Sequence, residues 1–166
     1  MNMKLSDMVL SQKQQNKKKV NLTNILKKDR PSFYMFMCWY SLVDKNDTNK
    51  SLNKKYPPSF TSDITKIFTK NELVCVGSHA ELMNLCHPLT NTFVYYVSDK
   101  SKCIDLLRHI RNAIAHDLLV YDKTKKQFSL LDYNMYGKLT AYGIIDANKL
   151  YDIINIILNR SGICNK

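Results

Sequence analysis

Cys103-Ile104-Asp105-Leu106-Leu107-Arg108-His109-Ile110-Arg111-Asn112-Ala113-Ile114-Ala115-His116 is the most strongly patterned stretch of the chain. Cys103, Leu107, Ile110 and Ile114 stand at i, i+4, i+7 and i+11, and Leu106 and Ala113 widen the stripe, so an amphipathic helix is predicted. After His116 the composition changes. The runs 118–121 and 127–131 are rich in Val, Leu, Tyr and Phe and flank the polar 122–126, which predicts a β-hairpin, with 139–145 as a third short strand.

Outward from this centre the signals are mostly helical. Asp146 is placed to cap a last helix whose Leu150, Ile153, Ile154, Ile157 and Leu158 form one face, with Gly162 just past its end. Upstream, Ser78 caps a helix carrying Leu82, Met83 and Leu85 that stops at Pro88, and Ser62 or Asp63 caps another carrying Ile64, Ile67 and Phe68. Pro31 suits the first turn of a helix bearing Phe33, Phe36, Met37, Trp39, Tyr40 and Val43. Residues 44–59 are polar, end in Tyr56-Pro57-Pro58, and read as a long loop. Residues 93–97 are apolar and aromatic, and periodicity does not decide between strand and helix there. Leu22, Ile25 and Leu26 fit a short amphipathic helix within 11–30 whose outer face is basic. The expected architecture is mainly α: a compact helical bundle with a small β-hairpin inserted before the last helix. It forms a single domain over 1–166, in which 1–30 is a basic N-terminal arm or helix.

Charge sets the partner class. Across 166 residues, 25 Lys and Arg against 14 Asp and Glu give +11, a balance that attracts polyanions and puts nucleic acid ahead of acidic proteins or acidic membranes. With 4 Gly and no Gly-rich phosphate loop, an ATPase or dinucleotide-binding protein is excluded. Five widely spaced cysteines without a C-x-x-C pair fit a reduced cytoplasmic protein. Lys4 and Asp7 interrupt the first apolar residues, so no signal peptide is expected, and no apolar run reaches the roughly 18–20 residues of a membrane span.

Within the central helix, Arg111 lies at about 80°, Asn112 at about 180° and His116 at about 220° from Cys103, all off the apolar stripe. Asn112 and His116 are i, i+4 neighbours, whereas Arg111 and His116 are about 140° apart, so they meet only where the helix ends or where a second chain supplies the missing half. Arg111-Asn112-Ala113-Ile114-Ala115-His116 resembles the R-x4-6-H motif of the HEPN superfamily, in its common form Arg-Asn-x-x-Ala-His near the end of a long helix. The resemblance implies an HEPN-like helical bundle and a metal-independent endoribonuclease of toxin or anti-phage defence type. It would act as a homodimer through the motif helix, with an antitoxin or regulatory partner and no cofactor. Arg111, His116 and Asn112 would be catalytic. A histidine that titrates near neutrality can take the 2′-OH proton or protonate the 5′-O leaving group. An arginine fork can hold the scissile phosphate as negative charge builds on it. Asn112 would orient His116 or bond a phosphate oxygen. In the toxin branch paired with a nucleotidyltransferase antitoxin a tyrosine follows two residues after the histidine; here that position is Leu118.

Arg108, one turn upstream, and Lys17, Lys18, Lys19, Lys27 and Lys28 are the expected RNA-binding cations, although a Lys-rich segment is equally a solubilising arm. Cys75-x3-His79 with Cys86-His87 matches no zinc spacing, and Asp105, His109 and His116 on one helix face fit a solvated face better than a divalent-ion site, so no metal is expected. The alternative functions are a non-catalytic HEPN-like domain that binds RNA or a protein, and an unrelated helical interaction protein.

Overall fold

The computed structural model describes residues 28, 30–44, 62–64, 66–69, 71–85, 91–97 and 102–160. The elements in chain order are α1 (Arg30–Asp44), β1 (Leu73–Val76), α2 (His79–Asn84), β2 (Thr92–Tyr96), α3 (Lys102–Ala115), β3 (Leu119–Asp122), β4 (Gln127–Tyr133), β5 (Leu139–Asp146) and α4 (Ala147–Arg160). The strands form one five-stranded sheet in the order β1-β2-β5-β4-β3. β1 and β2 run parallel, joined through α2, and every other neighbouring pair is antiparallel.

This architecture corrects the expectation of a mainly helical bundle: the chain is α/β, with a mixed sheet at its centre. The expected hairpin is present as β3 and β4, and the third strand as β5, but β5 is interior, paired with β4 on one side and β2 on the other. Two short apolar runs, 73–76 and 92–96, complete the sheet. Neither alternates, because strands with both faces covered lose the polar-out signal that marks a half-exposed strand. Of the helix expected after Ser62, residues 62–64 are helical, while Ile67 and Phe68 stand in a turn beyond it. The expected basic helix within 11–30 and the loop at 44–59 lie outside the described residues.

The register assigns the sheet's two faces. Phe128, Leu130 and Asp132 alternate along β4 and stand opposite Ile145, Gly143 and Ala141 of β5, which in turn stand opposite Phe93 and Tyr95 of β2. On this face Phe128 packs against Phe33 of α1 and Tyr151 of α4, and Tyr95 packs against His109 of α3. Three helices therefore cover it, burying Phe33, Phe36, Leu106, Ile110, Ala113, Leu150, Ile153 and Ile157 completely, each large side chain contributing roughly 1.5–3 kcal/mol. Gly143 is required by this packing, since a Cβ there would lie 2.8 Å from both the Phe93 ring and the Thr92 carbonyl. On the opposite face the Tyr142 hydroxyl donates to the Leu85 carbonyl, tying the end of α2 to β5. Ser78 caps α2 as expected, its hydroxyl accepting from the Glu81 amide at 3.2 Å. Asp146 caps α4, accepting from the Asn148 amide at 2.8 Å.

α4 is also clamped to the approach to β1. Lys149 Nζ donates to both Glu72 carboxylate oxygens at 2.6 Å, and the Thr69 amide donates to Oε2 at 2.6 Å. The Lys149 hydrogen bond, and then that of the Thr69 amide, hold the Glu72 carboxyl below the ordinary carboxylate range. A carboxyl with a lower pKa folded than unfolded stabilises the fold above its unfolded value and loses that contribution as pH falls through the folded one. Glu72→Gln is therefore expected to destabilise the protein by about 0.5–1 kcal/mol at neutral pH. Urea midpoints from pH 7 down to pH 3 should converge for the two proteins.

Candidate functional site

α3 ends where the sequence reading puts its end, and the way it ends positions the motif. Asp117 takes a left-handed conformation with φ 57°. The Leu118 amide then bonds the Ala113 carbonyl at 2.8 Å and the Asp117 amide bonds the Ile114 carbonyl at 3.3 Å, the paired bonds of a Schellman close. His116 is thereby the last residue before the reversal, exposed at the helix end, with its amide still bonded to the Asn112 carbonyl at 2.9 Å. Leu118 is buried, and the Leu131 amide donates to its carbonyl at 3.1 Å, which leads the chain directly into the sheet beside β4.

The motif's first two residues belong to a polar network anchored in that sheet. Arg111 Nη1 donates to Asn112 Oδ1 at 2.9 Å, and Asn112 Nδ2 donates to Asp132 Oδ2 at 3.3 Å. The same carboxylate oxygen meets His109 Nδ1 at 2.7 Å and Thr140 Oγ1 at 3.1 Å. His109 Nε2 lies 3.0 Å from the Tyr96 carbonyl. A carbonyl only accepts, so Nε2 carries a proton, and the short Nδ1 contact needs a second proton between ring and carboxyl. The pair is thus neutral as a unit. His109 and Asp132 are each 2% exposed, and Oδ1 of Asp132 is buried without a hydrogen-bond partner among the described residues. At the next residue of β4, the buried hydroxyl of Tyr133 has no hydrogen-bond partner among the described residues, and burial pushes its pKa above the ordinary phenol value.

Several expectations about side chains meet a different outcome. Asp105, His109 and His116 do not share a solvated face: Asp105 is fully buried and pairs with Arg108 at 2.6 Å, His109 is buried against β4, and His116 alone is exposed. The buried arc of α3 is wider than its apolar stripe because Asp132 gives the polar edge a partner. Arg108, expected to contact RNA, is held at the helix by that ion pair with Asp105. Lys28 is exposed ahead of α1, while Lys17, Lys18, Lys19 and Lys27 lie outside the described residues. Among the described residues no three of His, Cys, Asp and Glu come together in a group that could hold a metal ion. Cys75 is a free thiol, 3.1 Å from the Tyr95 hydroxyl. Also among the described residues, no helix is long and apolar enough to cross a membrane.

The structure brings Arg111 and Asn112 together but does not join them to His116, whose ring makes no hydrogen bond to either within the chain. Asp132 and Thr140 were not singled out by sequence reasoning. The one available signal was an acidic residue inside the apolar run Phe128-Ser129-Leu130-Leu131-Asp132-Tyr133, on the face its neighbours bury. In class the chain is an α/β protein whose mixed sheet carries a helix ending in an Arg-Asn-x-x-Ala-His string. Comparison with protein-family models, with curated proteins and with solved structures finds no match.

Proposed function

We propose that the chain is a cytoplasmic, metal-independent endoribonuclease of toxin or defence type in which Arg111 and His116 act on RNA through the substrate's own 2′-OH. What supports the reading is the anchoring of the motif: Asn112 ties Arg111 to the buried Asp132 of β4, while His116 is the exposed residue immediately after the same helix. A guanidinium held by a neighbouring side chain is partly preorganised, and an exposed imidazole is open to substrate. In the reaction the His116 imidazole of one copy takes the 2′-OH proton, the 2′-oxygen attacks phosphorus, and the bond to O5′ breaks as O5′ takes a proton from a protonated His116 imidazolium. The products are a 2′,3′-cyclic phosphate and a 5′-OH, and Arg111 stabilises the charge that builds on the phosphorane.

Because no hydrogen bond joins His116 to Arg111 among the described residues, the reading uses a homodimer in which each cleft draws on both copies of the motif helix. Such an interface is isologous. The same separation favours a second reading, an RNA-binding protein without cleavage. One experiment divides them: purified protein is incubated with mixed single-stranded RNA in EDTA, beside His116→Ala, over a dilution series. The first reading expects chelator-resistant cleavage that His116→Ala lowers about 10²–10³-fold, and a rate per chain that falls on dilution. Binding without cleavage by the parent protein establishes the second.

A further inference from the structure

The two most exposed large apolar residues among those described, Met135 at 89% and Tyr136 at 78%, are neighbours at the tip of the turn between β4 and β5. A single exposed aromatic is ordinary on a protein surface. This one is carried on a turn whose backbone is closed by hydrogen bonds. Asn134 Oδ1 accepts from the Tyr136 and Lys138 amides at 3.0 Å each, the Asn134 amide donates to the Lys138 carbonyl at 2.9 Å, and the Gly137 amide donates to the Asn134 carbonyl at 2.9 Å. Gly137, at φ 74°, supplies the conformation that lets the turn close.

The position of this turn relates it to the motif. Asn134 follows Asp132 by two residues, so the turn starts about 7 Å along the backbone from the residue that anchors Asn112 and, through it, Arg111. Leu118, two residues past His116, bonds to β4 one residue before Asp132. Thr140, on the return strand, bonds Asp132 as well. The motif's end of α3 and the turn therefore share one end of the sheet. At that end an exposed aromatic stands two residues from the exposed Lys138, in a chain of net charge +11.

We propose that this turn is the strand-holding arm of the same site, with Tyr136 stacking on a nucleobase of single-stranded RNA and Lys138 pairing with an adjacent phosphate. The proposal rests on RNA being the ligand of the Arg111 and His116 motif. Stacking on an aromatic is tolerant of base identity, and a turn whose backbone is already closed by hydrogen bonds loses little backbone freedom on binding. Single-stranded RNA fits better than a duplex, whose bases are stacked on one another and offer no free face.

The test uses a fluorescein-labelled single-stranded RNA carrying 2′-O-methyl groups throughout, which lacks the nucleophile and so reports binding alone. Anisotropy titrations compare the parent with Tyr136→Ala, Tyr136→Phe and Lys138→Ala, whose thermal melts should match the parent because both side chains are exposed. Tyr136→Ala is expected to weaken binding about 5–150-fold and Tyr136→Phe to keep it. Lys138→Ala is expected to lower the slope of log K against log salt by about 0.7. On cleavable RNA, Tyr136→Ala should raise KM and leave kcat near the parent value. A Tyr136→Ala protein that binds as tightly as a parent that itself binds RNA overturns the arm and leaves the ribonuclease reading standing. A parent protein that neither binds nor cleaves RNA removes both.

Discussion

His109→Ala is expected to lower unfolding free energy by about 3–5 kcal/mol, because it strips one partner from a buried ion pair and leaves the other charged and poorly matched. Asp132 Oδ2 loses its 2.7 Å contact, keeps only the longer bonds from Asn112 and Thr140, and already has a second oxygen buried without a hydrogen bond among the described residues. The Tyr96 carbonyl loses its donor at the same time. Guanidinium titrations of parent and variant at neutral pH read the loss directly. The comparison with His116→Ala makes it specific, since that exposed residue should shift stability by no more than about 0.5 kcal/mol. A double change, His109→Leu with Asp132→Leu, should cost less than the sum of the two single changes, because removing both partners leaves no orphaned charge. A His109→Ala protein as stable as the parent would falsify the account of this network.

Arg111→Ala and Arg111→Lys are each expected to lower RNA cleavage about 10²–10³-fold while RNA binding persists. Lysine should fail to rescue because the fork matters twice here: one arm is engaged by Asn112 Oδ1 at 2.9 Å, and the charge on the phosphorane is spread over oxygens that a planar guanidinium matches and an ammonium does not. DNA, which has no 2′-OH, should be bound and left intact, and the RNA products should carry a 2′,3′-cyclic phosphate and a 5′-OH. Denaturing gels with end-labelled substrates and a phosphatase-sensitivity assay read all three. Cleavage by Arg111→Lys at the parent rate, or nicking of DNA, counts decisively against 2′-OH chemistry at this motif.

What the sequence makes legible depends on how each element meets its surroundings. α3 and α4 each bury one side, so Leu107, Ile110 and Ile114, like Leu150, Ile153 and Ile157, stand at helical spacing and could be read directly. The β3–β4 hairpin could be read from its polar turn. β1 and β2 could not, because their four or five residues are covered by neighbours and carry no period, and their parallel pairing depends on a crossover rather than on a turn code. The candidate site divides along the same line. Arg111, Asn112 and His116 lie close in sequence and are visible as a string, whereas Asp132, with Thr140 bonded to it, meets Asn112 only because β4 lies beneath α3. His109 was misjudged for a related reason: a histidine among polar neighbours on a helix reads as solvated until the strand bearing its carboxylate is known.

The interior place of β5 governs the order in which the sheet can be assembled. Among the described residues β2 has its antiparallel neighbour in residues 139–146, about fifty positions further along, so while the chain is being synthesised a β1–β2 pair would lack its other flank. Until Leu139–Asp146 emerges, β2 and β4 each present a bare row of amides and carbonyls, and the apolar rings of Phe93, Tyr95 and Phe128 lack the strand that closes the layer between them. A nascent chain stopped before Leu139 therefore carries two half-sheets rather than a smaller version of the fold. The interval between the emergence of Tyr96 and that of Leu139 is when these strand edges are most open to pairing with another chain.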